Sequence, residues 1–381
     1  MSTGHSAAGD PGLAGAEAAR GALAGEEAKL LVVFASESHD LGQLLAGVHE
    51  VAGDVPVIGC STAGEIGTAG PSTGSVVAIA LGGPGFSVAA GSASAQNDGL
   101  RGAAAEIAAL GTLTSGSPHR VVILLSDGLA GDQQEVVRGA YGVLGAQVPL
   151  VGGCAGDDLK MRSTFQFFGD RVMQNSVVGA AIGSDSPIGI GVQHGWRAVG
   201  EPMVVTASSE NRVLALDDQP ALDAYMSRLE APAAASKDEA SFTHFAMTHP
   251  LGISRKAGDE VRFVSGADLA EGSLNCIAAI PQGSMVRIME GDISSVLQAT
   301  NTACEQALAG LGERPPVGLM AFDCIARKGV LGDPGSASEV GEISRYANGA
   351  PVAGFYTYGE FARTRGLNGF HNQTLVVVAF S

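Results

Sequence analysis

Short apolar runs recur along the chain, each bounded by glycine or polar residues. Residues 30–34 form a continuous run of the kind a fully buried strand shows, and residues 121–125 and 317–322 repeat it. After the first run, Leu41, Leu44, Leu45 and Val48 fall at i, i+3, i+4 and i+7, the apolar stripe of a helix. Asp132 with Glu135, and Ser336 with Glu339, have capping-box spacing and predict helix starts after the other two runs. Residues 76–81, 177–182 and 375–380 are further apolar runs of strand length.

Between these runs lies an internal repeat. Residues 55–65 and 350–360 both read P-x-x-G-x4-G-E from their second position, without a gap. A third copy, residues 148–157, fits with one residue deleted and Asp in place of Glu. In each case an apolar strand precedes the motif, with room for one helix between, and another strand follows. The predicted unit is therefore strand, helix, strand with a glycine-rich exit, and strand. A thin solenoid repeats every ~20–50 residues; this longer period predicts a mixed α/β fold of pseudo-symmetric repeats, with layered mixed sheets covered by helices and packed as two sheets.

The intervening segments read as filler. Residues 86–93 predict a strand, and Leu100, Ala103, Ala104 and Ile107 a helix face. Strands are predicted over 188–194, 203–207, 213–216, 261–264, 274–280 and 285–289, with helices over 220–229 and 293–311. Residues 230–241, with Pro232 in a mixture of Ala, Ser, Lys and Asp, are the best domain boundary. The division is a loosely attached tail over 1–28, a first domain of two repeats over 29–230, a linker over 231–240, and a second domain of one repeat over 241–381.

Composition narrows the partners. Lys and Arg number 22 against 39 Asp and Glu, a net charge of −17 in 381 residues. Such a surface repels phosphate backbones and anionic lipid, so neither nucleic acid nor a membrane is an expected partner. The 55 glycines are roughly twice the usual share of about 7%, in keeping with many tight turns. Five cysteines, odd in number and without a CxxC pair, argue against a zinc knuckle or disulfide framework. No run of about 18 apolar residues marks a membrane span, and the first residues lack the pattern of a secretory signal. A cytoplasmic protein is expected.

The candidate chemistry sits at the strand exits. A strand ends at Gly59, the chain turns through Cys60, Ser61, Thr62 and Ala63, and Gly64 permits a positive φ before Glu65. Ligands of open α/β sheets sit at such strand ends. Ser61 and Thr62 offer hydrogen bonds and Glu65 a carboxylate for an ammonium or amide; equally, the glycines serve tight turns and Glu65 caps a neighbouring element. Cys154 and Asp157 take the corresponding places in the shortened copy, and Asp127 leaves the strand before it. Asp323, Cys324 and Arg327 leave the third leading strand, where the arginine can pair bidentately with a carboxylate of a ligand or of the protein, Glu360 for instance. Phe355, Tyr356, Tyr358, Glu360, Arg327 and Asn372 are placed to line one pocket. Asp127, Asp157 and Asp158 fit no specific metal loop, and residues 82–85 lack the lysine and hydroxyl of a phosphate loop.

These residues carry a resemblance. Residues 55–66, Val-Pro-Val-Ile-Gly-Cys-Ser-Thr-Ala-Gly-Glu-Ile, resemble the hallmark of the N-terminal part of the FIST family, named for F-box and intracellular signal transduction. Residues 149–157 and 194–196 are similar to its later segments, and residues 322–327, 354–360 and 371–374 to its C-terminal part. The resemblance covers roughly residues 29–381 and has the look of a stand-alone member. Asp323 replaces the serine usual in the family's pattern before the arginine. The resemblance implies a sensory protein that binds a small ligand, an amino acid being the usual suggestion, and informs a signalling protein such as a histidine kinase, cyclase or chemoreceptor.

The leading expectation is a non-enzymatic small-molecule sensor without metal or cofactor. Its expected ligand-binding set is Cys60, Ser61, Thr62, Gly64, Glu65, Asp127, Cys154, Asp157, Cys324, Arg327, Tyr356, Tyr358, Glu360 and Asn372. An amino acid's carboxylate would meet Arg327, and its ammonium Glu65, Asp157 or Glu360. Two alternatives stand beside it: an enzyme with Cys60 or Cys154 as nucleophile, and a ligand-free scaffold that docks a partner.

Overall fold

Both faces of the leading strands are apolar, so each strand needs a layer on either side. The computed structural model describes residues 1–381 except 26, 97–98, 233, 236, 256–257 and 364–368. In Ala28–Ser36, the side chains of Leu30, Val32 and Phe34 enter one buried cluster, and Leu31, Val33 and Ala35 another. The first cluster also takes Ile123, Leu125, Met320, Phe322, Phe355 and Phe380 from two other sheets. Phe34 stacks on Phe355 with ring centroids 4.8 Å apart, and Phe322 meets both edge-on. Three sheets thus share one inner core.

Each of these sheets has six strands in equivalent order. The first runs Ser2–Ser6, Val76–Gly82, Ala28–Ser36, Val57–Thr62, Gln166–Phe168, Arg171–Met173. The second runs Phe86–Ser94, Ser176–Ser184, His119–Ser126, Leu150–Cys154, Glu360–Arg363, Gly369–His371. The third runs Ile188–Gln193, Leu375–Phe380, Gly318–Cys324, Val352–Thr357, Glu65–Gly67, Gly70–Ser72. Leading and motif strands pair in parallel in all three, as a helical crossover between them requires. A helix pair covers each outer face: Pro11–Ala22 with Leu41–Ala52, Gly99–Ala109 with Gln134–Leu144, and Ile293–Ala309 with Ile325–Ala347.

The last two strands of each sheet come from another unit. The hairpin leaving the first motif adds to the third sheet, that leaving the third adds to the second, and that leaving the second adds to the first. This cyclic exchange locks the units together through backbone hydrogen bonds. The layered sheets expected from the sequence are present; among the described residues they number four, where two were anticipated.

The fourth sheet, eight-stranded, is built from strands between Arg197 and Glu290 and encloses its own core around Val205, Leu216, Tyr225, Phe242 and Ile288. It is an insert within the third unit, placed between edge strand Ile188–Gln193 and helix Ile293–Ala309. Arg197–Ser209 pairs with Met285–Glu290, and Arg212–Leu216 with Ser273–Cys276, so residues 231–240 do not divide two cores. Glu239–Ala246 is already helix, capped by Asp238.

The expected tail needs a second correction. Ser2–Ser6 pairs with Val76–Gly82, and Ala14, Ala18, Ala19 and Ala22 are buried. The sequence signal is weak because the contact is made by small residues. A Cβ on Gly15 would lie 2.2 Å from the Leu44 carbonyl oxygen, and one on Gly47 would lie 2.0 Å from that of Gly12. The helices meet backbone to backbone, with little apolar bulk to betray them. Helix Ile325–Ala347 begins well before the expected Ser336 and is interrupted at Gly332, whose φ is 60°.

Candidate functional site

The three glycine-rich exits meet one another. Tyr356 and the first exit exchange hydrogen bonds, Ala63 N to Tyr356 O at 3.0 Å and Tyr356 N to Gly64 O at 2.8 Å. Cys154 N donates to Gly359 O at 2.8 Å, and Gly156 N to Ser61 O at 3.0 Å. The Ser61 hydroxyl donates to Gly156 O and accepts from Phe165 N. Gly64 and Gly359 have φ of 117° and 154°, which a side chain disfavours, and a Cβ on Gly359 would strike the Phe370 ring at 2.6 Å.

The motif carboxylates close their own turns. Glu65 accepts from the hydroxyls of Thr62 and Ser75 and from Ser75 N. Glu360 accepts from the Thr357 hydroxyl and from Thr374 N. Burial pushes Glu65 up to about 7 and Glu360 up to about 8, against the opposing effect of these hydrogen bonds. Asp157 accepts from the N–H groups of Met161, Arg162 and Ser163 and from the Tyr358 hydroxyl. Burial raises its pKa, but those donors outweigh it and hold the carboxyl below the usual range. Asp127 binds the Thr164 hydroxyl and the N–H groups of Leu129 and Asn175.

Arg327 is equally committed. It is wholly buried, with Nε to Asp323 at 2.7 Å, Nη1 to the His194 carbonyl at 2.8 Å, and Nη2 to Glu339 and the Thr300 hydroxyl. Its partners are Asp323 and Glu339, where the sequence suggested Glu360. The expected ends of an amino-acid site are therefore corrected: Arg327, Glu65, Asp157 and Glu360 spend their hydrogen-bonding groups inside the fold. The same holds for Ser61 and Thr62, while Cys60 and Cys154 sit in the core. Burial drives both thiols up, away from the thiolate a nucleophile needs. Tyr356 is buried beneath the Lys328 amine, 4.7 Å from its ring centroid, and Phe355 belongs to the inner core.

Three of the expected residues, Cys324, Tyr358 and Asn372, do come together on a cavity of about 330 Å³. Gly128, Leu159, Met161, Ile325, Ala326 and Gly329 complete the side built from the repeats, and Thr243, Met247, Phe263, Ser265 and Ile277 come from the insert. The wall is mostly apolar. Asn372 is 1% exposed and its Oδ1 has no hydrogen-bond partner. The Tyr358 hydroxyl donates to Asp157 and accepts from Leu159 N. Asp157 gathers a loop in which Asp158, Leu159 and Met161 all have φ between 53° and 62°, strain of the kind that collects at binding sites. That loop leaves Leu159 and Met161 more than half exposed beside the cavity. Sequence reasoning missed Met247, Phe263 and Ile277, because nothing local says that the insert folds over these exits. Among the described residues no three histidine, cysteine or acidic side chains cluster as a metal site.

The FIST N domain model matches residues 29–219 and the FIST C domain model residues 221–363. The chain is a FIST protein. The family is associated with signal transduction and small-ligand sensing. An uncharacterized protein of Mycobacterium tuberculosis is 25% identical over 229 residues, 58% of this chain and 58% of that protein. An uncharacterized protein of Mycobacterium bovis is 24% identical over 238 residues, 61% of this chain and 60% of its own length. This FIST chain thus spans under two thirds of the length of the curated relatives it matches. Within it, the junction between the two family domains falls inside the insert, at the start of helix Ala221–Met226. No helix among the described residues is long and apolar enough to cross a membrane.

Proposed function

We propose that the protein is a small-ligand sensor whose ligand occupies the 330 Å³ cavity between the repeat exits and the insert. The observation that supports this most is the cavity's place and lining: an apolar chamber at the strand exits, with the buried Asn372 Oδ1 unpartnered. A buried carbonyl without a donor costs about 1–3 kcal/mol, and a ligand N–H or O–H removes that cost. Among the described residues that line it, none carries a charge. A zwitterionic amino acid would leave both charges without partners there, so the ligand class favoured is a small, uncharged, largely apolar molecule with one hydrogen-bond donor. The role is binding without turnover, given the two thiols' burial. Because the repeats and the insert each supply part of the wall, an occupant ties them together, a change of surface that a signalling partner can read.

A thermal-shift screen tests the reading, with neutral metabolites in one set and free amino acids in another. A ligand at 100 times its Kd stabilises the fold by about 2.7 kcal/mol. A saturable hit among the neutral compounds, lost in Ala326→Phe while that variant melts near wild type, supports the assignment. Hits confined to amino acids, or unaffected by Ala326→Phe, overturn it.

A further inference from the structure

A second cavity, of about 570 Å³, shares no lining residue with the first. It lies between residues 68–73, the turn and second strand of the first motif hairpin, and the helix Ile325–Ala347. Its character is different. Thr68, Ser72 and Thr73 line it together with Lys328 and Ser336; the Thr68 hydroxyl is held by the Val352 backbone and that of Ser72 by Ser75.

Lys328 is the informative residue. Its ammonium is half-buried, lies over the Tyr356 ring and, among the described residues, hydrogen-bonds only the Ala63 carbonyl, at 3.4 Å. Among the described residues it forms no ion pair. Burial lowers its pKa, and Asp158, Glu65, Asp333 and Asp323, in that order, oppose this from a distance. Ser336 is 1% exposed, and its Oγ faces the buried Tyr356 hydroxyl. It stands in the first turn after the break at Gly332, where a helix start leaves backbone N–H groups unpaired and favours negative charge. An ammonium without an ion pair among the described residues, a buried hydroxyl and a helix start line one cleft.

We propose that this chamber is a second binding site, one that takes a small monocarboxylate. The carboxylate sits against the Lys328 ammonium and the turn at Ser336, and the ligand's polar body lies along the hairpin residues 68–73 beside Thr73. One negative charge suits the site better than two, since acidic groups already surround a single ammonium. Asp333, exposed at the rim, further disfavours a dianion such as phosphate.

The test uses the full chain with its lysines reductively ¹³C-dimethylated and followed by NMR. Lys29, Lys160, Lys237, Lys256 and Lys328 are the chain's lysines, so Lys328→Arg assigns the signal. Acetate, lactate and pyruvate are titrated against inorganic phosphate and chloride. A saturable shift of the Lys328 signal with a monocarboxylate, and none with phosphate or chloride, is the expected result. Gly341 lines the chamber and has open space where a Cβ would stand, so Gly341→Phe fills it without strain. That variant should weaken binding at least ~10-fold while leaving the fold intact. A shift common to all the anions, saturation by phosphate in preference, or full binding by Gly341→Phe overturns the proposal. None of these outcomes depends on the ligand of the apolar cavity.

Discussion

Glu65→Gln should make the protein more stable at neutral pH and change little in acid. Glu65 is buried, and its carboxyl is pushed from 4.5 up to about 7. The direction follows from linkage. A carboxyl whose folded pKa lies above its unfolded value keeps its proton in the native state after the unfolded chain has released it. Stability is therefore fully present below pH 4.5, falls as pH rises to about 7, and is level above that. The slope is about 1.4 kcal/mol per pH unit, which places the whole loss at about 3 kcal/mol across the window. A Gln side chain does not titrate yet reproduces the bonding of the protonated acid: its carbonyl accepts from Ser75 and its amide donates to the Thr62 hydroxyl. Urea denaturation of both proteins from acid to mildly alkaline pH measures the difference. The two curves should coincide near the acid end and diverge in favour of the variant as pH rises. Parallel curves, or a wild type that gains on the variant with rising pH, would mean that Glu65 is ionised in the fold and that the burial argument fails.

Glu360→Gln should behave likewise over a window reaching about pH 8, since burial acts more strongly there. Arg327→Met should cost about 3–5 kcal/mol in denaturant, because Asp323 and Glu339 would be left without their shared guanidinium; Asp323→Asn, which removes one of two carboxylates facing one cation, should cost far less. Gly189→Ala should destabilise strongly, since its Cβ would lie 1.8 Å from the Ala307 carbonyl oxygen and force a helix off its sheet. A melt within a degree of wild type would show that the helix is not packed as described.

The local pattern determined much of this protein. Continuous apolar runs and helical spacing marked the three leading strands, the helix beginning at Leu41 and the motif strands, since hydrophobic period reflects local geometry. The P-x-x-G-x4-G-E repeat marked the three exits, since only glycine tolerates the backbone conformations that Gly64 and Gly359 adopt. What the pattern missed was that each unit opens with its own strand and helix. It found the elements at 86–93, 100–107 and 188–194 but not their place in the unit, and it missed those before residue 23. Residues 2–22 read as a tail, and 86–109 and 188–193 as filler. Alanine and glycine mediate these packings by close backbone approach, and such contacts carry little hydrophobic signal.

Tertiary structure alone decided the rest. Strand exchange among the sheets pairs Glu65 with Phe355 and Glu360 with Gly153, residues far apart in the chain. The insert's place over the exits brings Met247 and Phe263 to Tyr358 and Asn372. Which side chains face a ligand depended on that arrangement too. A carboxylate or guanidinium at a strand end is equally suited to bind a guest or to close its own turn, and the difference lies in whether donors from other segments have already filled its valences. Glu65, Asp157, Glu360 and Arg327 are filled, whereas Asn372 Oδ1 is left without a partner and Lys328 without an ion pair among the described residues.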